Sequence, residues 1–294
     1  MNTIFKNISY LFLITFLLAG CEKEITVTLP DATQDYVVEA SVNQKFPTLS
    51  YVFVSKSVDY FNPDLSMRGI SGATVFITEG TISGKDTFYT GTKYQMTDIA
   101  TIPGADTLFK GFSGIYFNLS LAGKEQTPYL LEIKLPDGTL ITGKTYIPKV
   151  VPIDSIQYTI KDTYTANKDK KDAYVTLFFT DPPEQNNYRL ETLHSTDSLM
   201  IGWGAADSYR TFDDQTLNNG SRFVNYNRPF SQGDTLNFYL NSIGRKEYLF
   251  WLSFNKAANN GGPFATPVTV ASNISGAIGS FTGYGCSFRQ TILN

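Results

Sequence analysis

Apolar and polar residues alternate with a period of two along most of this chain. Over residues 36–42, Tyr36, Val38, Ala40 and Val42 fall on one side and Val37, Glu39 and Ser41 on the other, the spacing of a strand with one buried face. Residues 49–56 and 73–78 form two more such runs, with Gly69 and Gly72 breaking the chain before the second. Short β-rich runs follow around Phe88, Tyr94 and Phe109 and over 115–121. The clearest hairpin joins 129–135 to 139–146 through Pro136-Asp137-Gly138, because Asp and Gly both tolerate the positive φ of a tight turn. Many short strands with no helical period between them predict a β-sandwich over residues 35–148.

Pro148 and Pro152 mark a boundary, since proline cannot donate to a sheet ladder. Beyond it the alternation resumes over 156–160, 173–180, 188–193 and 233–241, predicting a second β-rich, sandwich-like domain over 149–294. Helical spacing occurs once. Ser242 is placed to cap a helix over about 243–258, with Tyr248, Trp251 and Leu252 toward the core and Asn259-Asn260-Gly261-Gly262 as its stop. Gly244 weakens the first turn of that helix. The glycine-rich tail 275–288, carrying Phe281, Tyr284 and Phe288, reads as a final strand pair. The fold class is therefore mainly β, two sandwich-like domains with one helix in the second.

The first twenty-one residues follow a different pattern. After Lys6 comes an apolar run of about eleven residues, too short to span a bilayer, which needs roughly 20. It ends in Leu17-Leu18-Ala19-Gly20-Cys21, followed at once by Glu22, Lys23 and Glu24. Leucine, two small residues and cysteine form a lipobox, so residues 1–20 are expected to be cleaved. Cys21 is expected to carry the lipid, with 21–34 as a tether. Two or more acyl chains make a stable anchor where one is marginal, so a diacylglyceryl thioether on Cys21 predicts lasting membrane attachment.

Cleavage leaves 274 residues with 23 basic against 27 acidic side chains. That near-neutral balance lacks the clustered positive charge of a nucleic-acid binder. The 22 Phe and 18 Tyr beside only 17% charged residues suit a β-rich extracytoplasmic body. The only cysteines are Cys21 and Cys286. With Cys21 acylated, Cys286 has no partner, and it is expected as a small buried hydrophobe in a strand.

Candidate chemistry is sparse. The single histidine, His194, stands in Leu193-His194-Ser195-Thr196-Asp197-Ser198; activation of Ser195 or Ser198 requires convergence with an orienting acid, and a strand-end histidine is the plainer reading. One histidine and no cysteine pair argue against a transition-metal site. Asp213-Asp214, Asp169 with Asp172, and Asp181 with Glu184 are acidic clusters, none with the spacing of a calcium loop. They read as solvated turn acids, although glycosidase carboxylates lie on separate strands and carry no spacing signature. Trp203, between Gly202 and Gly204, is a candidate stacking residue for sugar or peptide. No phosphate-binding glycine motif occurs, so no cofactor is expected.

Several stretches together carry a family resemblance: the lipobox with Cys21-Glu22-Lys23-Glu24, Thr28-Leu29-Pro30, Tyr36-Val37-Val38-Glu39, Gly72-Ala73-Thr74-Val75, Ile147-Pro148, Pro152-Ile153-Asp154-Ser155, and Thr180-Asp181-Pro182-Pro183. Most specific is the ending, Gly262-Pro263-Phe264-Ala265-Thr266-Pro267, then Ser272-Asn273-Ile274-Ser275-Gly276-Ala277-Ile278-Gly279, then Phe281-Thr282-Gly283-Tyr284. The whole mature chain resembles the Bacteroidota outer-membrane lipoproteins classed as domain of unknown function 4249. The resemblance implies an immunoglobulin- or transthyretin-like N-terminal sandwich and frequent company with TonB-dependent outer-membrane receptors. Glu22 and Glu24 are similar to that phylum's surface-export signals, with Lys23 interrupting the acidic run. It brings no catalytic residues. The expectation is a non-enzymatic outer-membrane lipoprotein, an accessory or ligand-binding part of an uptake complex. A surface adhesin binding host or matrix polymers and a carboxylate-dependent glycan hydrolase are the alternatives.

Overall fold

The computed structural model describes residues 35–57, 69–104, 113–164, 169–195, 210–214, 220–226, 229–260, 266 and 268–294. Residues 34–294 form one compact unit. Cys21, the tether, Ser198 and Trp203 lie outside the described residues.

The first half contains β1 (Tyr36–Asn43), β2 (Tyr51–Lys56), β3 (Thr74–Glu79), a small hairpin of β4 (Thr81–Ser83) and β5 (Asp86–Phe88), β6 (Lys93–Asp98), β7 (Ile115–Phe117), β8 (Thr127–Lys134) and β9 (Leu140–Ile147). The second half contains β10 (Ile153–Lys161), β11 (Asp172–Asp181), β12 (Asn187–His194), β13 (Arg210–Asp213), β14 (Gly220–Asn225), β15 (Phe230–Ser231) and β16 (Thr235–Ile243). It continues with helix α1 (Arg245–Ala258), β17 (Ile274–Ser275) and β18 (Ile278–Ile292). The protein is mainly β with a single α-helix in its second half among the described residues, as the alternation and the one helical run predict. Among the described residues no helix is long and apolar enough to cross a membrane.

Twelve strands join in one sheet, in the order β13-β12-β16-β18-β1-β2-β7-β6-β3-β8-β9-β17. The sheet curls at β6, which pairs with β7 through Thr97 and Asp98 and with β3 through Lys93 to Met96. Apolar faces from the two arms then close on one core, with Val38, Val52 and Val54 meeting Ile77, Leu131 and Ile141. At the other end of the sheet, β12 and β16 pack against a separate sheet of β10, β11, β14 and β15. There Leu190, Phe238 and Leu240 meet Val175, Leu177 and Phe179 in a second core. The β8–β9 turn forms as its sequence predicts: Gly138 has φ +90°, and Asp137 Oδ1 accepts the Thr139 N–H at 2.9 Å.

The tail departs from the expected strand pair. It is one strand of 15 residues that serves both halves. Residues from Ile278 to Tyr284 run parallel to β1, and those from Gly285 to Ile292 run antiparallel to β16. The preceding β17 pairs with β9 instead of with β18. A tail returning beside the first strand can pair with it only in the direction the fold leaves open, so a local hairpin loses to two long-range ladders. Glycines let the strand approach β9 and β1 closely. A Cβ at Gly283 would lie 2.7 Å from the Tyr146 carbonyl oxygen, and one at Gly279 would lie 1.8 Å from that of Val38. Between them Phe281 is fully buried in the first core.

Polar groups lock this return in place. The Asn273 amide forms two bonds with the Phe281 backbone, donating to its carbonyl and accepting from its N–H, both at 2.8 Å. Asn273 Nδ2 also donates to Glu247 Oε1 at 2.9 Å, and Thr145 Oγ1 donates to the same oxygen at 3.0 Å. Thr145 Oγ1 in turn accepts the Gly283 N–H at 2.8 Å. One buried carboxylate on α1 thus ties β9, the segment before β17 and β18 together. Its position also corrects the expected cap. The N-cap is Gly244, while Ser242 remains in β16. A side chain at 244 would meet Glu247 Oε2 at 2.3 Å, so glycine is needed where the carboxylate folds back over the helix start.

Two expected outcomes follow from this junction. Phe281→Ala leaves a cavity in the first core and costs about 3–5 kcal/mol, read as a lower urea midpoint. Burial raises the Glu247 pKa above its ordinary 4.5, opposed by its bonds to its own backbone N–H, Thr145 and Asn273. The folded state therefore binds this proton more tightly than the unfolded chain does. Its stabilising share is complete below pH 4.5 and is lost as pH rises through the raised folded value. Glu247→Gln keeps the acceptor without the charge, so its urea midpoint should gain on the wild type as pH rises above about 4.5. A difference constant with pH would refute the assignment.

Candidate functional site

A concavity lies between the edge strands of the second sandwich, at the end where β11 passes into β12. It is a cleft of about 550 Å³, within the range of small-molecule sites. The edge strands β13 and β14 form its walls. Among the described residues, β13 pairs only with β12 and β14 only with β11. Its floor is aromatic: Phe179 meets Tyr188 edge-on at 5.2 Å between ring centroids, and Phe212 lies 5.4 Å from Tyr188. These residues face inward because β11 and β12 alternate, so the rings that close the second core also floor the cleft.

Behind the rings stands a buried polar group. Tyr188 Oη donates to Asp181 Oδ1 at 2.5 Å, and Arg222 Nη2 lies 3.2 Å from Asp181 Oδ2. The Asp181 side chain is 2% exposed, and each of its oxygens has a partner, as a buried carboxyl group requires. Burial and the neighbouring carboxylate push the Tyr188 hydroxyl pKa well above its ordinary range, which keeps it a donor at neutral pH. The remaining acids are similarly engaged. Asp213 accepts from Arg245 of α1 at 2.7 Å, and Asp214 accepts the Asn186 N–H at 2.8 Å. Arg210 reaches across the cleft to the Asn225 carbonyl and lies over the Tyr226 ring at 4.7 Å. Two buried atoms lining the cleft have no hydrogen-bond partner among the described residues, Arg222 Nε and Thr211 Oγ1. A buried polar atom left in this state costs roughly 1–3 kcal/mol.

The acidic clusters singled out in the sequence are redistributed by the fold. Asp181 and the Asp213-Asp214 pair, 32 residues apart, converge in this one cleft. Glu184 stays exposed in the loop after β11. Asp172 is buried elsewhere and accepts from Thr163 at 2.6 Å, away from the cleft, and Asp169 lies in an exposed turn. His194 sits at the opposite end of β12, about 20 Å along the strand from the cleft. Its Nδ1 is 3.8 Å from Asp234, while Ser195 is an exposed turn residue. Asp234 also accepts the Ser231 N–H at 2.9 Å, so it closes a turn as well as facing the histidine. Among the described residues no group of three or more His, Cys, Asp or Glu side chains is arranged to hold a metal ion. Cys286 is 2% exposed in β18, its thiol pKa pushed up to about 12 by burial. The sequence did not single out Arg210, Thr211, Phe212 or Arg222. Their only local signal is a short run of polar and aromatic residues beside loop-rich sequence, which many exposed strands share.

An Asp181–Arg222 pair of this kind is strongly coupled. Arg222→Ala strands the buried carboxylate and is expected to cost about 3–5 kcal/mol. The double variant Asp181→Asn with Arg222→Ala should cost less than the sum of the two single changes. A urea-unfolding double-mutant cycle checks this, and additive costs would mean the pair is not coupled.

Comparison with known proteins places this chain as follows. The family described as "Domain of unknown function (DUF4249)" matches residues 22–288. No curated protein matches. Among solved structures, the chain is similar to a DUF3823 family protein from Bacteroides uniformis at 10% identity, covering 89% of this chain and 100% of that one. The TM-score is 0.23, too low to support any argument about fold or function.

Proposed function

The chain belongs to the DUF4249 family, and from that premise we propose a non-enzymatic, lipid-anchored binding subunit of an outer-membrane uptake complex, working beside a TonB-dependent receptor. Three features support this reading. The Leu17-Leu18-Ala19-Gly20-Cys21 lipobox supplies the anchor, with the acyl chains on Cys21 and residues 21–34 as the tether. The family resemblance supplies the receptor as partner. The cleft supplies the capture site, and it is the observation that carries a binding role.

The cleft's chemistry selects a ligand class. Arg210 and Arg222 face Asp181, Asp213 and Asp214, and Arg245 offsets Asp213. A charged ligand of either sign meets attraction from one set and repulsion from the other, so the lining offers no net gain to offset its desolvation. A neutral molecule with an apolar face for the aromatic rings and hydroxyl or amide groups for the polar side chains of the walls suits this lining. A glycan hydrolase is the second reading, favoured by the meeting of three carboxylates in one cleft. It ranks lower because each already accepts a hydrogen bond from a fixed donor, while a general acid needs a carboxyl kept protonated by an apolar setting.

The full-length tagged protein, extracted in detergent from the membranes of its own host, should co-purify with a large β-barrel receptor. Cys21→Ala should release it to the soluble fraction. Recovery only as a free monomer counts against the uptake complex, and membrane retention of the Cys21→Ala variant refutes the anchor. Glycan cleavage lost in Asp213→Asn would instead favour the hydrolase.

A further inference from the structure

The end of the first sandwich at which β1 begins carries exposed apolar side chains that the core does not need. Leu140 is 68% exposed and Ile278 is 43% exposed, although both belong to strands whose other faces are buried. They lie close together. Ile278 pairs with Val37 in the parallel ladder, and a Cβ at Gly276 would lie 2.7 Å from the Leu140 carbonyl oxygen. The β8–β9 turn closes the same end, because Tyr36 Oη donates to Asp137 Oδ2 across 101 residues. Chain entry is also here: the Asp35 carbonyl accepts the Ser57 N–H at 2.8 Å, at the end of β2.

We propose that this end rests on the lipid surface, with Leu140 and Ile278 inserted at the boundary between headgroups and acyl chains. The inference rests on the lipid-anchor reading of Cys21. Fourteen residues, 21–34, separate that cysteine from the entry point and span at most about 50 Å even when fully extended. The end through which the tether enters is therefore the end held nearest the bilayer, and tethering replaces a bimolecular encounter with an intramolecular one. Under that condition two large aliphatic side chains suffice, where a free protein needs a broad apolar face.

Charge decides the character of the contact. Among the described residues this end presents Lys56 and Lys134 against Asp35 and Asp137. Lys56 stands over the Tyr36 ring at 5.6 Å and helps lower the Asp137 pKa, for which the Tyr36 hydrogen bond is the first cause. With the charges balanced, the docking is apolar. It should persist in high salt and in vesicles lacking anionic lipid, unlike a polybasic contact, which salt screens.

The test uses the acylated full chain in zwitterionic phosphatidylcholine vesicles. An environment-sensitive fluorophore is attached singly at Leu140→Cys, Ile278→Cys or Phe223→Cys; Phe223 is 63% exposed on the second sandwich, and native Cys286 is buried from the label. Lipids bearing a shallow spin-label quencher should quench the probe at 140 and 278 but not at 223, with no change in 1 M salt. Leu140→Asp should weaken the quenching at 278 by about tenfold or more in the docked-to-undocked ratio, while the protein still floats with the vesicles. Flotation without quenching at 140 and 278, or equal quenching at all three positions, overturns the docking alone. Failure to float overturns the anchor and the docking with it. Quenching that appears only when a β-barrel partner is co-reconstituted assigns this face to that protein and also overturns the proposal.

Discussion

One strand has to pair with both halves of the chain, and the rest of the structure is arranged around that demand. β18 borders β1 over its first half and β16 over its second, so the ladder of the first sandwich continues into that of the second. Antiparallel neighbours can be joined by a tight turn, but a parallel partner requires the chain to travel and return. Here the whole second half intervenes between β1 and β18. Neither half buries its sheet edge until the last residues of the chain arrive. Contacts that close only through such long loops also carry the largest ordering cost, which is why the return is held by more than apolar burial.

That additional hold is polar and specific. Asn273 acts as a substitute strand segment for Phe281, and Glu247 collects the donors of β9 and of the segment before β17. The arrangement places a carboxylate where water is scarce, at an energetic cost that its hydrogen bonds only partly offset. Glycine appears at 244, 279 and 283 because backbone or carboxylate atoms occupy the space of a side chain. The stretch from Ser272 through Tyr284, which carries the most specific part of the family resemblance, forms the junction of the two halves.

The cleft lies beside this junction, because Arg245, two residues before Glu247 on α1, holds Asp213 in its wall. Its floor is continuous with the second core, so its aromatic surface is fixed by packing, whereas Arg210, Thr211 and Arg222 come from edge strands that have a neighbour on one side. On the proposed reading, its balanced charges suit capture and release of a neutral ligand.

Period-two alternation was enough to identify the β class and most strand centres, because each depends on which side chains can be buried together over a few residues, and Asp137-Gly138 marked the β8–β9 turn by its tolerance of positive φ. The single helix was legible for the same reason, although its cap was not: Ser242 has the right chemistry, but Glu247 reaches Gly244 only once β9 and the tail are in place. Asp181 and Asp213 were each visible as acids, yet their meeting depends on strand register across 32 residues. Arg222 and Thr211 had no local signature at all. Local pattern determines what a segment prefers to become, and Leu17-Leu18-Ala19-Gly20-Cys21 is a local signal of that kind. The pairing of β18 with strands of both halves, and the cleft between the edge strands β13 and β14, were decided by tertiary structure alone, since they arise from contacts between residues that the sequence keeps far apart.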